Sequence, residues 1–305
     1  MPDDTVAMPS EFEPSVLGPR YEIPLQWEAS VDSTNARLLA QPWPEPGKFA
    51  SQAGFACCLV ADHQSAGRGR QRKVWYDEPG SCVLMSLSID RYQRPWPPTL
   101  GAFSIASAVC LINKLEMARK AALDPGNNCE LRLKWPNDVV WFREGEAPSK
   151  LAGILIETRQ QGDFSRLVIG LGVNLIAPDL PATDPQSLAA GGLFSASSSI
   201  AAKLDRPWRL AFASTLSQAL LHDWMRFESE GLKPFAQAIA ARDLFRDKPV
   251  VFQEDAEAQW FEAIGDGIEL DGQLRLRCPS GAGGRAGDMS GRQRFSRGSV
   301  RLLIR

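Results

Sequence analysis

The feature that most constrains this chain is a succession of short apolar runs, each of strand length and each followed by a polar or glycine-rich loop. FACCLVA (55–61), SCVLMSLSI (81–89), LRLKWPNDVVWF (131–142, hinged at Pro136), LAGILIET (151–158) and SRLVIGLGVNL (165–175) all have this form. Short runs with so little polar alternation read as strands buried on both faces, which need helices to cover them. Two long segments supply that cover. One begins after Pro97-Pro98-Thr99 and runs to about residue 122, with Leu100, Phe103, Val109 and Leu115 apolar. The other spans about 207–229, with Phe212, Leu216, Leu220, Trp224 and Phe227 on one side and Gly231 as its stop. A further strand is predicted over 23–31, a short helix through Leu38 and Leu39, and another short helix over 234–241. The fold class that follows is α+β, a mixed sheet with helices packed on it.

From about Asp243 the texture changes. VVF (250–252), AQWFEAI (258–264), GIEL (267–270), QLRLR (273–277) and SVRLLI (299–304) are short strands, and Asp271-Gly272 is a hairpin signal. They predict a small C-terminal β-barrel over 243–305, with 279–294 as a mobile loop. Residues 1–20 are rich in Pro, Asp, Glu and Ser without period and predict a flexible tail. The main unit is then 21–242.

Composition narrows the function classes. A net charge of −2 and a pI near 5.9 give no global basic field for nucleic acid. The six cysteines form no CxxC pair and sit mostly in apolar runs, as reduced buried thiols do, and two histidines do not make a zinc site. No apolar run approaches the ~20 residues of a membrane span, and no signal peptide is legible. A cytoplasmic protein is expected, with no nucleic-acid or membrane partner and no DNA-reading module ahead of the core.

Against that near-neutral background the run GRGRQRKVW (67–75) stands out. Gly67 and Gly69 let the backbone approach a ligand, Arg68 and Arg70 offer forked donors to carboxylate or phosphate, and Trp75 offers a face for an aromatic base. It follows strand 55–61 directly, at the carboxyl end where open sheets place ligands. The alternative is a solvated basic loop. His63 reads as a loop residue rather than a base, while Gln64 can pair an amide-like group. Asp32-Ser33-Thr34-Asn35 are first of all capping residues, and four in a row leave hydroxyls for a ligand. Asn137 and Asp138 serve a proline turn or, with Lys134, a phosphate and a divalent metal. Lys150 is a solvated strand end or a ligand cation. Gly170 and Gly172 mark a bulge or a close backbone approach, and GxGxN lacks the third glycine and helix of a dinucleotide fingerprint. The Ser/Ala/Gly stretch at 187–201 is placed over the site.

Ser33-Thr34-Asn35, Gln64 with GRGR (67–70) and Trp75, KWPND (134–138), KLAGIL (150–155), GLGVN (170–174) and the small terminal β unit together resemble the biotin–protein ligases, across about residues 21–305. The resemblance implies a biotin/lipoate ligase-type catalytic domain with an SH3-like barrel. It implies attachment of biotin to a lysine of biotin carboxyl carrier protein through biotinyl-5'-AMP, using ATP and Mg²⁺. Carried over by position, biotin would meet Ser33, Thr34, Gln64, Gly67, Arg68, Lys150, Gly153, Leu155 and Gly170. ATP would meet Arg70, Lys73, Trp75, Lys134, Asn137 and Asn174, the metal Asp138, and catalysis would rest on Lys150, Arg68 and Arg70. A monomer or weak homodimer is expected. The chain departs from the family pattern at Arg72 and Lys73, where Gly and Arg are usual, and at Ser299, where glutamate is. Lipoate or octanoate ligases are the nearest alternative, followed by a biotin-sensing repressor and a dead binding module.

Overall fold

The apolar runs do assemble into one sheet. The computed structural model describes residues 22–45, 55–122, 129–179, 188–198, 200–255, 258–278 and 291–303. Its main sheet has seven strands: β1 (Leu25–Glu28), β2 (Phe55–Ala61), β3 (Cys82–Tyr92), β4 (Glu130–Lys134), β5 (Asp138–Phe142), β6 (Ser149–Gln161) and β7 (Phe164–Asn174), in spatial order β1-β2-β3-β7-β6-β5-β4. Only β1 and β2 run parallel; every other neighbour pair is antiparallel. The sheet is mixed, as the sequence predicts.

Each face has its own cover. On one face Val83, Met85 and Leu87 of β3 and Ile169, Leu171 and Val173 of β7 pack beneath α2 (Phe103–Ala121) and α3 (Arg206–Glu230). α3 starts because Asp205 accepts from the Trp208 amide and Pro207 pre-sets the first turn; it stops at Gly231, whose φ is 62°. With the turn before it, α2 is a 22-residue segment long and apolar enough, by length and composition, to cross a membrane, although polar residues interrupt it. Its most apolar window is 67% buried inside the fold, so it is a core helix. The opposite face carries α1 (Thr34–Ala40), capped by Ser33 and seated through Leu38 on Cys57, Leu59 and Val168. The α1 C-terminus is pinned from below: buried Arg166 pairs with Asp90 and donates to the carbonyls of Gln41 and Pro42 at 2.8 and 3.2 Å.

The C-terminal strands form a second sheet, with β8 (Pro249–Gln253), β9 (Phe261–Ile268), β10 (Leu274–Cys278), β11 (Gly291–Phe295) and β12 (Ser299–Leu302) in the order β11-β10-β9-β8-β12. Three expectations change here. The sheet is open, since no pairing closes β11 onto β12 among the described residues. The runs at 258–264 and 267–270 are largely one strand passing through Gly265, where a Cβ would stand 2.0 Å from the Phe245 carbonyl oxygen. The end of the supposed mobile loop, 291–294, is the edge strand β11; the rest of that loop lies outside the described residues, as does the 1–20 tail. The Asp271-Gly272 hairpin forms as read, with Gly272 at φ 87° and its carbonyl accepting from Trp135 Nε1 at 2.9 Å. That bond ties the second sheet to the KWPND turn. All six cysteines are unpaired.

Asp243, between α4 (Ala236–Arg242) and β8, is 5% exposed; burial pushes its carboxyl up to about 6, more than its bond from the Phe245 amide and the charge of Arg246 pull it down. The folded state therefore holds this proton more tightly than the unfolded chain. Stability falls as pH rises from about 4 to about 6 and stays lowered above. Asp243→Asn, which keeps the acceptor for Phe245, is expected to raise Tm at pH 7.5 by a few degrees and to flatten the slope over that window. Melts of both proteins from pH 4 to 8 check it; parallel curves would count against the assignment.

Candidate active site

Strand register places the site residues before any side chain is considered. Asp138 pairs Lys134 and Gly153, Gly153 pairs Gly172, and Gly172 pairs Leu84. Two residues along, Leu155, Gly170 and Ser86 form the next row, then Glu157, Val168 and Ser88. Opposed residues share a face and so do alternate rows, so all of these look toward α1. Lys150 falls out of that alternation and is returned to it by a bulge. The register steps from Val139–Ala152 to Val140–Lys150, so Leu151 and Ala152 both enter the core, fully buried, and Lys150 swings to the α1 face. There its Nζ lies 2.8 Å from Asp138 Oδ1 and 5.5 Å from the Trp75 ring. The Lys150 backbone is bridged to 189–191, and the Trp141 indole N–H donates to the Gly192 carbonyl at 2.8 Å. This part of the Ser/Ala/Gly stretch braces Lys150 from the strand edge and does not lie over the site.

Two glycines make room on this face. A Cβ at Gly172 would stand 2.5 Å from the Trp75 indole, and one at Gly170 would stand 2.1 Å from Asn35 Oδ1. Trp75 is thus laid along β7 beside Gly153, and its Nε1 is buried without a hydrogen-bond partner among the described residues. Asn35 is laid over Gly170, its Nδ2 donating to the Leu155 carbonyl at 3.3 Å and to Glu157 Oε2 at 2.8 Å. Ser86 Oγ lies 2.6 Å from Asn35 Oδ1 and 2.7 Å from Thr34 Oγ1. Gln64 Oε1 accepts from the Thr34 amide at 2.8 Å and lies 3.1 Å from its hydroxyl. Gln64 is held in turn by Asp77, which bonds both the Gln64 amide and His63 Nδ1.

GRGRQRKVW is a small hairpin: the Trp75 amide donates to the Gly67 carbonyl, Gly69 to Lys73, and Arg68 bridges Val74. Its tip is a 3-10 turn, Arg70–Arg72, with Gln71 in the left-handed region at φ 54°. Arg68 points back to Glu157 at 3.6 Å. Arg70 lines a cavity of about 430 Å³ with Leu155, Ile156, the start of α2 and the Asp271–Gln273 hairpin, a size suited to a small ligand. Burial lowers its guanidinium pKa, opposed by Asp138. Burial likewise lowers the Lys134 ammonium; Asp138 opposes this, while Lys150, Lys73 and Arg301 add to it. Several cations therefore crowd one carboxylate.

Of the residues named from sequence, the structure gathers Thr34, Gln64, Gly67, Arg68, Leu155 and Gly170 at one end of this face. Trp75, Gly153, Lys134, Asp138, Lys150 and Arg70 lie at the other. Ser33 serves as the α1 cap, accepting from the Ala36 amide, and Asn137 donates to the Ile154 carbonyl at 2.8 Å. Asn174 is buried where β7 ends opposite Cys82. Lys73 sits exposed in the hairpin. Sequence reading gave no role to Ser86 or Glu157. Ser86 was visible as a hydroxyl interrupting an apolar strand, LMSLS; Glu157 carried no signal before β6 and β7 were paired.

A profile of the Biotin/lipoate A/B protein ligase family matches residues 51–174. Among curated proteins, the bifunctional ligase/repressor BirA of Salmonella typhimurium is 31% identical over 252 residues, which span 81% of this chain and 67% of that protein. The chain belongs to the biotin–protein ligase family. The biotin--[acetyl-CoA-carboxylase] ligase of Paracoccus denitrificans is 29% identical over 83% of this chain and 94% of its own length. The fold agrees: the Aquifex aeolicus biotin protein ligase, solved with biotin and ATP, superposes with TM-score 0.63 over 92% of this chain and 99% of that one, at 20% identity. In this chain the left-handed residue at the tip of the GRGR hairpin is a glutamine, Gln71.

Proposed function

We propose that this protein activates biotin with ATP to biotinyl-5'-AMP and transfers the biotinyl group to a lysine of a carboxylase carrier domain. The observation that carries the reading is the division of one sheet face into two halves: a group of hydroxyls and amides at Thr34, Ser86, Asn35 and Gln64, and the cation cluster around Asp138. A neutral polar ring fits the first. The carboxylate and polyphosphate fit the second, where the ammonium of Lys134, which burial disfavours, is relieved by an anion. Biotin's carboxylate attacks the α-phosphorus, forming the C–O–P anhydride as pyrophosphate leaves. The carrier amine, deprotonated, then attacks the carbonyl carbon and AMP departs.

In this reading Lys150 bridges the carboxylate and α-phosphate, stabilising charge as it builds, and Arg70 and Lys134 balance the departing pyrophosphate. Arg68 closes over the carboxylate end, Gly67 lends its backbone, and Leu155, Gly153 and Gly170 shape the pocket wall. Trp75 and Asn174 hold the adenine, with Asn137 and Lys73 toward the phosphates; Ser33 supports the biotin end through α1. For Mg²⁺, no group of three His, Cys, Asp or Glu side chains is assembled among the described residues. A single carboxylate together with substrate phosphates suits this ion, and Asp138 would hold it. The ion would supply charge neutralisation on the phosphates. The small terminal sheet (243–305) is assigned as the SH3-like unit and 21–242 as the catalytic domain. The partner is biotin carboxyl carrier protein or a related domain, and a cytoplasmic monomer or weak homodimer completes the proposal.

Purified protein incubated with biotin, MgATP and a carrier domain is expected to add one biotinyl group to the carrier, read by intact mass, and to do nothing without ATP. Transfer of lipoate or octanoate in parallel tubes, in place of biotin, would overturn the substrate reading.

A further inference from the structure

β7 pairs with β6 only as far as Ala152, so the sheet itself does not bond the end of β7 to Lys150. Residues 189–194 make that connection. The Lys150 amide donates to the Ala189 carbonyl and the Gly191 amide donates to the Lys150 carbonyl, both at 2.7 Å. Two residues on, the Leu193 amide donates to the Asn174 carbonyl at 3.0 Å and the Phe194 amide to the Leu175 carbonyl at 2.8 Å. Gly191 and Gly192 carry the chain from one set of bonds to the other, and close approach demands them, since neither has a positive φ. A Cβ at 191 would stand 2.7 Å from Ser149 Oγ, and one at 192 would stand 2.2 Å from the Ala177 amide nitrogen. Leu193 and Phe194 beyond them are buried, the Phe194 ring edge-on to Trp208. The crossing is also held by a side chain: Trp141 Nε1 donates to the Gly192 carbonyl at 2.8 Å. Trp141 lies opposite Ser149 on β5, next to the Val140 that pairs with Lys150, and the Arg119 guanidinium stands 4.7 Å over its ring.

We propose that Trp141 is a positioning residue whose indole N–H, through the Gly192 carbonyl, fixes the spacing between Lys150 and Asn174, so that one piece of backbone sets both ends of the bound nucleotide. The inference rests on the reading that ATP is bound with its α-phosphate at Lys150 and its adenine at Asn174. An indole N–H seeks an acceptor wherever it is half-buried. This one has a role because its acceptor lies between the two residues that the nucleotide spans. Taking the donor away leaves the Gly192 carbonyl unpaired and loosens the crossing. A shift of about 1 Å in a charge aimed at the reacting phosphate costs up to about 100-fold in rate. The biotin-ring end of the face, at Thr34, Gln64 and Gly170, is reached by none of these bonds, so ring binding is left as it was.

The test compares wild type, Trp141→Phe, Gly192→Ala, Lys150→Ala and the Trp141→Phe/Lys150→Ala double variant in initial rates of adenylate formation, with biotin and ATP varied separately and thermal melts recorded. Trp141→Phe, which keeps a ring under Arg119 and removes only the donor, is expected to lower kcat ~10-fold and raise KM for ATP ~10-fold. KM for biotin is expected to stay within about threefold and Tm within a few degrees. Gly192→Ala displaces the same crossing from its other side and is expected to give the same split between ATP and biotin. In the Lys150→Ala background Trp141→Phe is expected to change kcat by no more than about twofold, because its effect on the chemical step passes through Lys150. A lowered Tm with kcat and both KM values unchanged would overturn the proposal and leave the bond a packing feature. Equal losses for biotin and ATP, or full additivity with Lys150→Ala, would overturn it too. Wild-type protein that forms no biotinyl-adenylate would overturn the underlying function instead, an outcome the variants cannot mimic.

Discussion

Lys150→Ala is expected to lower adenylate formation about 10³-fold while moving Tm by only a few degrees. The two effects separate because the fold spends so little on this side chain. The bulge that turns Lys150 out of the core is held by Leu151 and Ala152, both fully buried, and by backbone bonds to Ala189 and Gly191. None of these needs the ammonium. Removing it leaves Asp138 with Lys134 at 4.0 Å, so the carboxylate keeps a cation nearby and the folding cost stays modest. The chemical cost is larger. Lys150 is the cation closest to Asp138, at 2.8 Å, and in the proposed reaction it meets both the attacking carboxylate and the α-phosphate. Pyrophosphate release under saturating biotin and ATP, with calorimetric melts, checks both halves. A large drop in Tm with activity retained would contradict the role assigned to the lysine.

Much of this arrangement was legible before any coordinates. Short continuous apolar runs gave the sheet, because strands buried on both faces have no other way to be written, and GRGR followed a strand directly, which fixed it at the ligand edge. The hidden parts depend on pairing. Lys150 reads as a strand end because the bulge that re-aims it lies in the register between β5 and β6, which a single sequence does not contain. Ser86 and Glu157 sit on separate strands 71 residues apart and meet only through Asn35. Strand β11 was concealed by composition: GRQRF is polar and glycine-flanked because it is an edge strand with arginines toward solvent. The GRGR tip shows the opposite error of emphasis. The loss of a family glycine at Arg72 drew attention there, while the left-handed residue is its neighbour Gln71.

Gly170→Ala should abolish most biotin affinity without unfolding the protein, and Gly172→Ala, two residues on, should spare biotin and weaken ATP. Neither glycine has a positive φ, so the backbone accepts alanine, and a strand interior favours it slightly. The conflict is with what lies above. A Cβ at 170 would stand 2.1 Å from Asn35 Oδ1, 2.8 Å from Cγ and 2.9 Å from Nδ2, so the amide must leave its place. It then gives up Leu155, Glu157 and Ser86 together, and the Thr34 hydroxyl proposed to meet biotin loses the support of that network. About 100-fold in Kd for biotin is expected, the equivalent of two hydrogen bonds. At 172 the Cβ meets Trp75 at 2.5 Å instead, which displaces the surface assigned to adenine and leaves Asn35 untouched. Titration calorimetry with biotin alone, then with ATP, separates the two variants. Equal loss of both ligands in both proteins would mean that the glycines serve packing rather than the two halves of the site.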